Sequence, residues 1–114
     1  MPYISVKSSK AISAEQEDRL QKEIGRAIEI IPGKDIDCTM TRIEGGCRLF
    51  MSGKPANATF CEVRLLGEAP KDAKKELVGE LYKVFTAELG EIDSLYINIQ
   101  QYPEWSSGGE YIEA

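Results

Sequence analysis

The chain has 114 residues, is 42% apolar and carries a formal charge of −5, which is enough to bury one core but not two and excludes a dense cationic face for nucleic acid. No run of about 18 apolar residues is present to span a membrane. The start lacks the basic and apolar regions of a secretory signal, so a single domain over residues 1–114 in the cytoplasm is expected, with export by a route that needs no signal as the variant.

From Pro2 to Ser8 apolar and polar residues alternate, the period of a strand. Ser13 followed three residues later by Gln16 is a capping box, which opens a helix by satisfying two orphan amide donors. Leu20, Ile24, Ala27, Ile28 and Ile31 then recur every three or four residues as one apolar stripe, and Pro32-Gly33 ends it. Ile36 to Ile43 reads as a second strand. Gly45-Gly46 reads as a turn that folds a short strand, Cys47 to Met51, back in a hairpin. Ala58 to Leu66 is the next strand, and Pro70 opens a second helix where a missing amide donor costs nothing. Leu77, Leu81, Val84, Phe85 and Leu89 form its stripe, Gly90 stops it, and Leu95 to Gln101 is again a strand. In the tail, residues 102–114, Pro103, Gly108 and Gly109 break any long element, while Trp105 and Tyr111 are residues expected to dock.

The order strand, helix, strand thus occurs twice, over about residues 2–43 and 58–101. Crossovers of this kind are right-handed. An α/β chain (α+β in some schemes) follows, with two βαβ units in one four-stranded mixed sheet and both helices on one face. The other face, with a set drawn from Ile4, Val6, Val63, Leu65, Ile97 and Ile99, is expected to be too apolar for water and so to be covered by other subunits.

Cys38, Cys47 and Cys61 are odd in number, widely spaced and unaccompanied by histidine, which suggests neither a disulfide framework nor a metal site. They read as buried free thiols, and no metal or cofactor is called for. With no histidine, acid-base chemistry near neutral pH falls to a perturbed carboxylate, lysine, cysteine, tyrosine or an amino terminus. Pro2 directly follows the initiator methionine. A small second residue permits removal of Met1, which leaves Pro2 with a free secondary amine. An apolar pocket or a nearby cation would make that nitrogen a base at neutral pH by disfavouring its charged form. Met-Pro alone is a common start; here the proline heads a strand with no flexible segment between. Asp35 and Asp37 sit two apart and read as solvated charges, and Asn57-Ala58-Thr59 fits a glycosylation sequon without further support.

The start Met-Pro-Tyr-Ile, Gly33-Lys34 after the first helix, the segment Cys61 to Gly67 ending Leu-Leu-Gly, and Leu95-Tyr96-Ile97-Asn98 together resemble the macrophage migration inhibitory factor family of the tautomerase superfamily, over residues 2 to about 101. The resemblance implies a homotrimer with active sites between neighbouring subunits and keto-enol conversion of phenylpyruvate-like 2-keto acids. It matches Pro2 to the catalytic base, Lys34 to the lysine near the substrate carboxylate, Leu66 to a backbone position at the pocket, and Tyr96 and Asn98 to pocket residues given by the adjacent subunit. Tyr3, Phe50 and Trp105 are further pocket candidates, Phe50 being read first as core. Lys34 also stands at a helix C-terminus, where the helix dipole favours a cation. The resemblance leaves two alternatives, a cytokine-like binding protein whose tautomerase activity is vestigial or secondary, and a hydratase or decarboxylase of small acids. Two departures stand out: Ala58 replaces the first cysteine of the CxxC that some members carry, and the aromatic residue usual near the end has no secure match, with Tyr111 and Ile112 competing for it.

Overall fold

Four strands, Met40–Glu44, Pro2–Ser8, Ala58–Leu66 and Ser94–Tyr102, lie side by side in that order as one mixed sheet in the computed structural model, which describes residues 1–114. In chain order the elements are β1 (Pro2–Ser8), α1 (Ala14–Ala27), β2 (Met40–Glu44), β3 (Phe50–Met51), β4 (Lys54–Pro55), β5 (Ala58–Leu66), α2 (Lys71–Leu89), β6 (Ser94–Tyr102), β7 (Glu104–Ser107) and β8 (Glu110–Glu113). β1 runs parallel to β2 and β5 parallel to β6, and the two halves meet antiparallel at β1 and β5. Each half is therefore a βαβ unit.

Both helices pack on one face. The α1 box is complete: the Ser13 hydroxyl accepts from the Gln16 amide, and the Gln16 side chain accepts from the Ser13 amide at 2.9 Å. Its stripe and that of α2 are buried, with Leu20, Ile24, Leu77, Leu81 and Phe85 fully enclosed, each contributing roughly 1.5–3 kcal/mol by burial. Arg19 on α1 pairs with Glu88 on α2 at 2.7 Å across the outside of the two. Neither helix is long and apolar enough to cross a membrane.

The sheet corrects one expectation. Ile4, Val6, Val63 and Leu65 are buried beneath this chain's own helices, with Ile97 and Ile99 packed partly buried against them. The bare face carries the alternate residues, among them Tyr3, Ser5, Lys7, Arg42, Glu62, Arg64, Asn98 and Gln100, so it is mixed and polar rather than apolar. The error was one of phase, since an alternating strand fixes which residues share a face but not which face is covered.

Four further readings change. Ile36–Cys38 is a turn of 3₁₀ helix capped by Asp35, whose carboxylate accepts from the Cys38 amide at 3.1 Å, and the strand begins only at Met40. The segment after Gly45-Gly46 does not fold back on β2: the Gly46 amide donates to Lys10 O and the Cys47 amide to Ser8 O, while Phe50–Met51 pairs with Lys54–Pro55 instead. The tail forms the hairpin β7–β8, turned at Gly108 and Gly109, whose φ values of +57° and +85° favour glycine. Only Cys61 of the three free thiols is buried; Cys47 is half-buried and Cys38 exposed.

Candidate active site

A cleft of about 700 Å³ opens where β1 begins, lined by Met1, Pro2, Tyr3, Cys38, Met40, Arg64, Tyr102, Glu104, Trp105, Ser106, Ser107 and Gly108. The fold explains why these residues meet. The register sets Pro2 opposite Leu65 and Tyr3 opposite Arg64, so the start of β1 lies beside the end of β5. Parallel pairing puts the end of β6 there too, with Leu66 opposite Tyr102. The Gly67 amide donates to Tyr102 O at 2.7 Å, and the β7 hairpin leaves from this point as a wall. Trp105 stands in that wall, its ring 6.4 Å from that of Tyr102.

Lys34 reaches the same end from the connection after α1. Its Nζ donates to Leu66 O at 3.0 Å. The amino terminus sits close enough to feel it: burial first, then a hydrogen bond and charge from Lys34, hold the Met1 amine below its ordinary value of 8.0, against weaker pulls from Cys38 and Asp35. A chain terminus with lowered basicity beside an ammonium and a 700 Å³ cleft can hold an acid and move a proton. Arg64 adds a second cation. Its guanidinium lies 5.9 Å over the Tyr3 ring, and one Nη2–H bonds Glu62 at 3.1 Å.

No protein-family model matches the chain, and no curated protein matches it. Solved structures do. The MIF2 protein of Leishmania major superposes with a TM-score of 0.88 at 19% identity, covering 98% of this chain and 97% of its own. The macrophage migration inhibitory factor-like protein of Entamoeba histolytica gives 0.83 at 17% identity over 97% and 98%. A fused 4-OT asymmetric trimer gives 0.79 at 16% identity over 95% and 94%. The fold is that of the MIF-like and 4-OT tautomerase proteins. Another match of this MIF-like fold, to Pt0534 inactivated by 2-oxo-3-pentynoate, has a TM-score of 0.76 at 14% identity over 94% and 92%.

Within the single chain the candidates divide into two sets. Pro2, Tyr3 and Trp105 line the cleft, and Lys34 and Leu66 are joined at its end. Tyr96 and Asn98 are elsewhere: they lie opposite Phe60 and Glu62, and Tyr96 is about 20 Å along β6 from Tyr102 at 3.3 Å per residue. Tyr96 lines a separate apolar groove of about 490 Å³ with Phe60, Val78, Tyr82, Leu95 and Ile97 on the free edge of β6. Asn98 borders it, its Oδ1 buried without a partner. Phe50 belongs to neither set nor to the core, being 55% exposed on the β3–β4 hairpin.

Reading the sequence missed Arg64, Tyr102, Glu104, Met40 and Cys38 as cleft residues. For Arg64 a signal existed, since once β1 and β5 are paired antiparallel it is the direct neighbour of Tyr3. The others needed the tail hairpin and the 3₁₀ turn.

Proposed function

We propose that the chain is a keto-enol tautomerase of 2-keto acids, phenylpyruvate among them, with Pro2 as general base after Met1 is removed. The observation that carries this reading is the chain terminus set in a cleft beside Lys34 with its amine held below its ordinary value. Once Met1 is gone, the free nitrogen is one residue further into the same surroundings, on a residue that is itself buried in the full chain.

Lys34 holds the carboxylate of the substrate. The Pro2 nitrogen takes a proton from the carbon beside the ketone, the C–H pair becomes the carbon–carbon double bond, and the carbonyl pair moves to oxygen, which gains a proton. Ketonisation is the reverse, with the protonated ring returning the proton to carbon. General base action of this kind is worth about 10²- to 10⁴-fold. Donors for the charge growing on oxygen come from a homotrimer, in which Tyr96 of the partner subunit and Asn98 of the partner subunit complete the cleft. Two features support that assembly: the apolar groove on the free edge of β6, and the buried, unpaired Asn98 Oδ1 beside it.

The test compares three proteins whose termini are verified by intact mass: Met-free, Met-retaining and Met-free Pro2→Ala. The enol-to-keto conversion of phenylpyruvate should be fast only in the first, with kcat/KM at least about 100-fold above the others. Equal rates in all three would remove Pro2 from the chemistry. 2-Oxo-3-pentynoate, an alkynyl 2-keto acid open to attack by an amine, should place one adduct on Pro2 of the Met-free chain.

A further inference from the structure

We propose that the chain that keeps Met1 binds one copper(I) ion in this cleft, through the thioethers of Met1 and Met40 and the thiolate of Cys38. The inference stands apart from the tautomerase reading, which needs Met1 removed. Histidine, cysteine and carboxylate side chains form no cluster of three in the molecule, which leaves zinc and calcium without their usual ligand sets. Sulfur does gather. Met1, Cys38 and Met40 all line the cleft of about 700 Å³, and they include two of the chain's three methionines. The register explains why they meet. Tyr3 of β1 pairs with Met40 of β2, on neighbouring parallel strands about 4.8 Å apart. Met1 and Cys38 each precede that pair by two residues, so both segments bring sulfur to the same end.

These sulfurs have no other task. Met40 is 69% exposed and adds little to the core. Cys38 is the exposed thiol, whereas Cys47 Sγ donates to Glu44 O at 3.4 Å and Cys61 is buried. Soft thiolate and thioether ligands select copper(I) over zinc or magnesium. Charge points the same way. Arg64 lines the cleft and Lys34 acts on the Met1 amine, and two cations oppose a divalent ion. One thiolate with one monovalent ion is neutral, and two thioethers add no charge. The Cys38 thiol gives its proton to solvent as the S–Cu bond forms; copper remains copper(I), and nothing is oxidised.

The experiment titrates copper(I), held by the chromophoric chelator bicinchoninate under nitrogen, with Met-retaining protein verified by intact mass. One copper per chain should pass from the chelator to the natural protein. Loss of even an outer partner of a metal ligand costs about 10- to 100-fold in affinity. Cys38→Ser should therefore weaken binding at least about 100-fold, and Met40→Leu or removal of Met1 about tenfold or more. Cys47→Ser should change it less than about twofold. Cys38 and Met40 are exposed, so their variants keep the fold. No transfer from the chelator would overturn the site, as would unchanged binding in Cys38→Ser, in Met40→Leu or without Met1. A loss in Cys47→Ser as large as that in Cys38→Ser would overturn it too.

Discussion

The two βαβ halves share an order of elements but differ in what joins each helix to its second strand. In the second half, residues 90–93 suffice: α2 stops at Gly90, and β6 begins at Ser94. In the first, residues 28–39 intervene, adding a 3₁₀ turn at Ile28–Ile30, the Pro32-Gly33 break, Lys34 and the capped turn Ile36–Cys38. The scaffold needs only the short form. The long form carries Lys34 to Leu66 and Cys38 to the cleft, so one copy of the unit serves the core and the other serves the site as well.

If the long connection exists for its cation, removing that cation should have an effect that no change in the short connection matches. Lys34→Ala should lower kcat/KM for phenylpyruvate by about 10- to 100-fold, whereas Asp93→Ala should change it less than about twofold. The pH profile sharpens this. Burial and Lys34 both disfavour the protonated amine of Met1; the same surroundings acting on Pro2 of the Met-free chain should set the midpoint of the rising limb of kcat/KM below that of a free proline amine. Loss of Lys34 removes the charge contribution and moves that midpoint up. The linked effect on stability has the same origin. With the folded pKa lowered, the folded chain is penalised below that pKa, and the penalty fades as pH rises toward the unfolded value.

A matched pair of glycines probes the packing of the same connection. A methyl group on Gly25, in α1, would overlap the side chain of Ile36, whereas one on Gly79, in α2, would meet nothing within 4 Å. Gly25→Ala should therefore destabilise by about 1–3 kcal/mol. Gly79→Ala should be neutral or stabilise by up to about 1 kcal/mol through helix propensity. Urea denaturation distinguishes them, and equal midpoints would mean that Ile36 yields freely.

The smallest effect concerns the thiols. Cys61 is pushed up to about 12 by burial and by Glu62, and Cys47 is raised by burial and by Glu44. Cys38 is exposed at the cleft. A maleimide should label Cys38 first and Cys61 only on unfolding, as read by peptide mass.

The repeat was legible because both helices and the four long strands are written in periodicity and caps: Ser13 with Gln16, Pro70, Gly90 and the alternation of residues 58–66. What was not legible depended on tertiary partners. Nothing local says that Asp35 would cap a 3₁₀ turn rather than enter a strand, or that Cys47 would bond back to Ser8. The face of the sheet was misassigned because alternation has no sign. Of the site, Pro2, Lys34, Leu66 and Trp105 came through the resemblance, and the structure gathers them at one end of the sheet. Arg64 and Glu104 needed the strand register and the tail hairpin, both set by contacts distant in sequence.

The central claim is that a ring nitrogen at residue 2, freed of Met1, is unprotonated enough at pH 7 to take a proton from carbon. Titration of Met-free protein labelled with ¹⁵N-proline, following the Pro2 nitrogen by NMR, tests it directly. A midpoint at or below neutral pH, moved upward by Lys34→Ala, is the predicted result; a nitrogen that stays fully protonated at pH 7 in the assembled protein would contradict it.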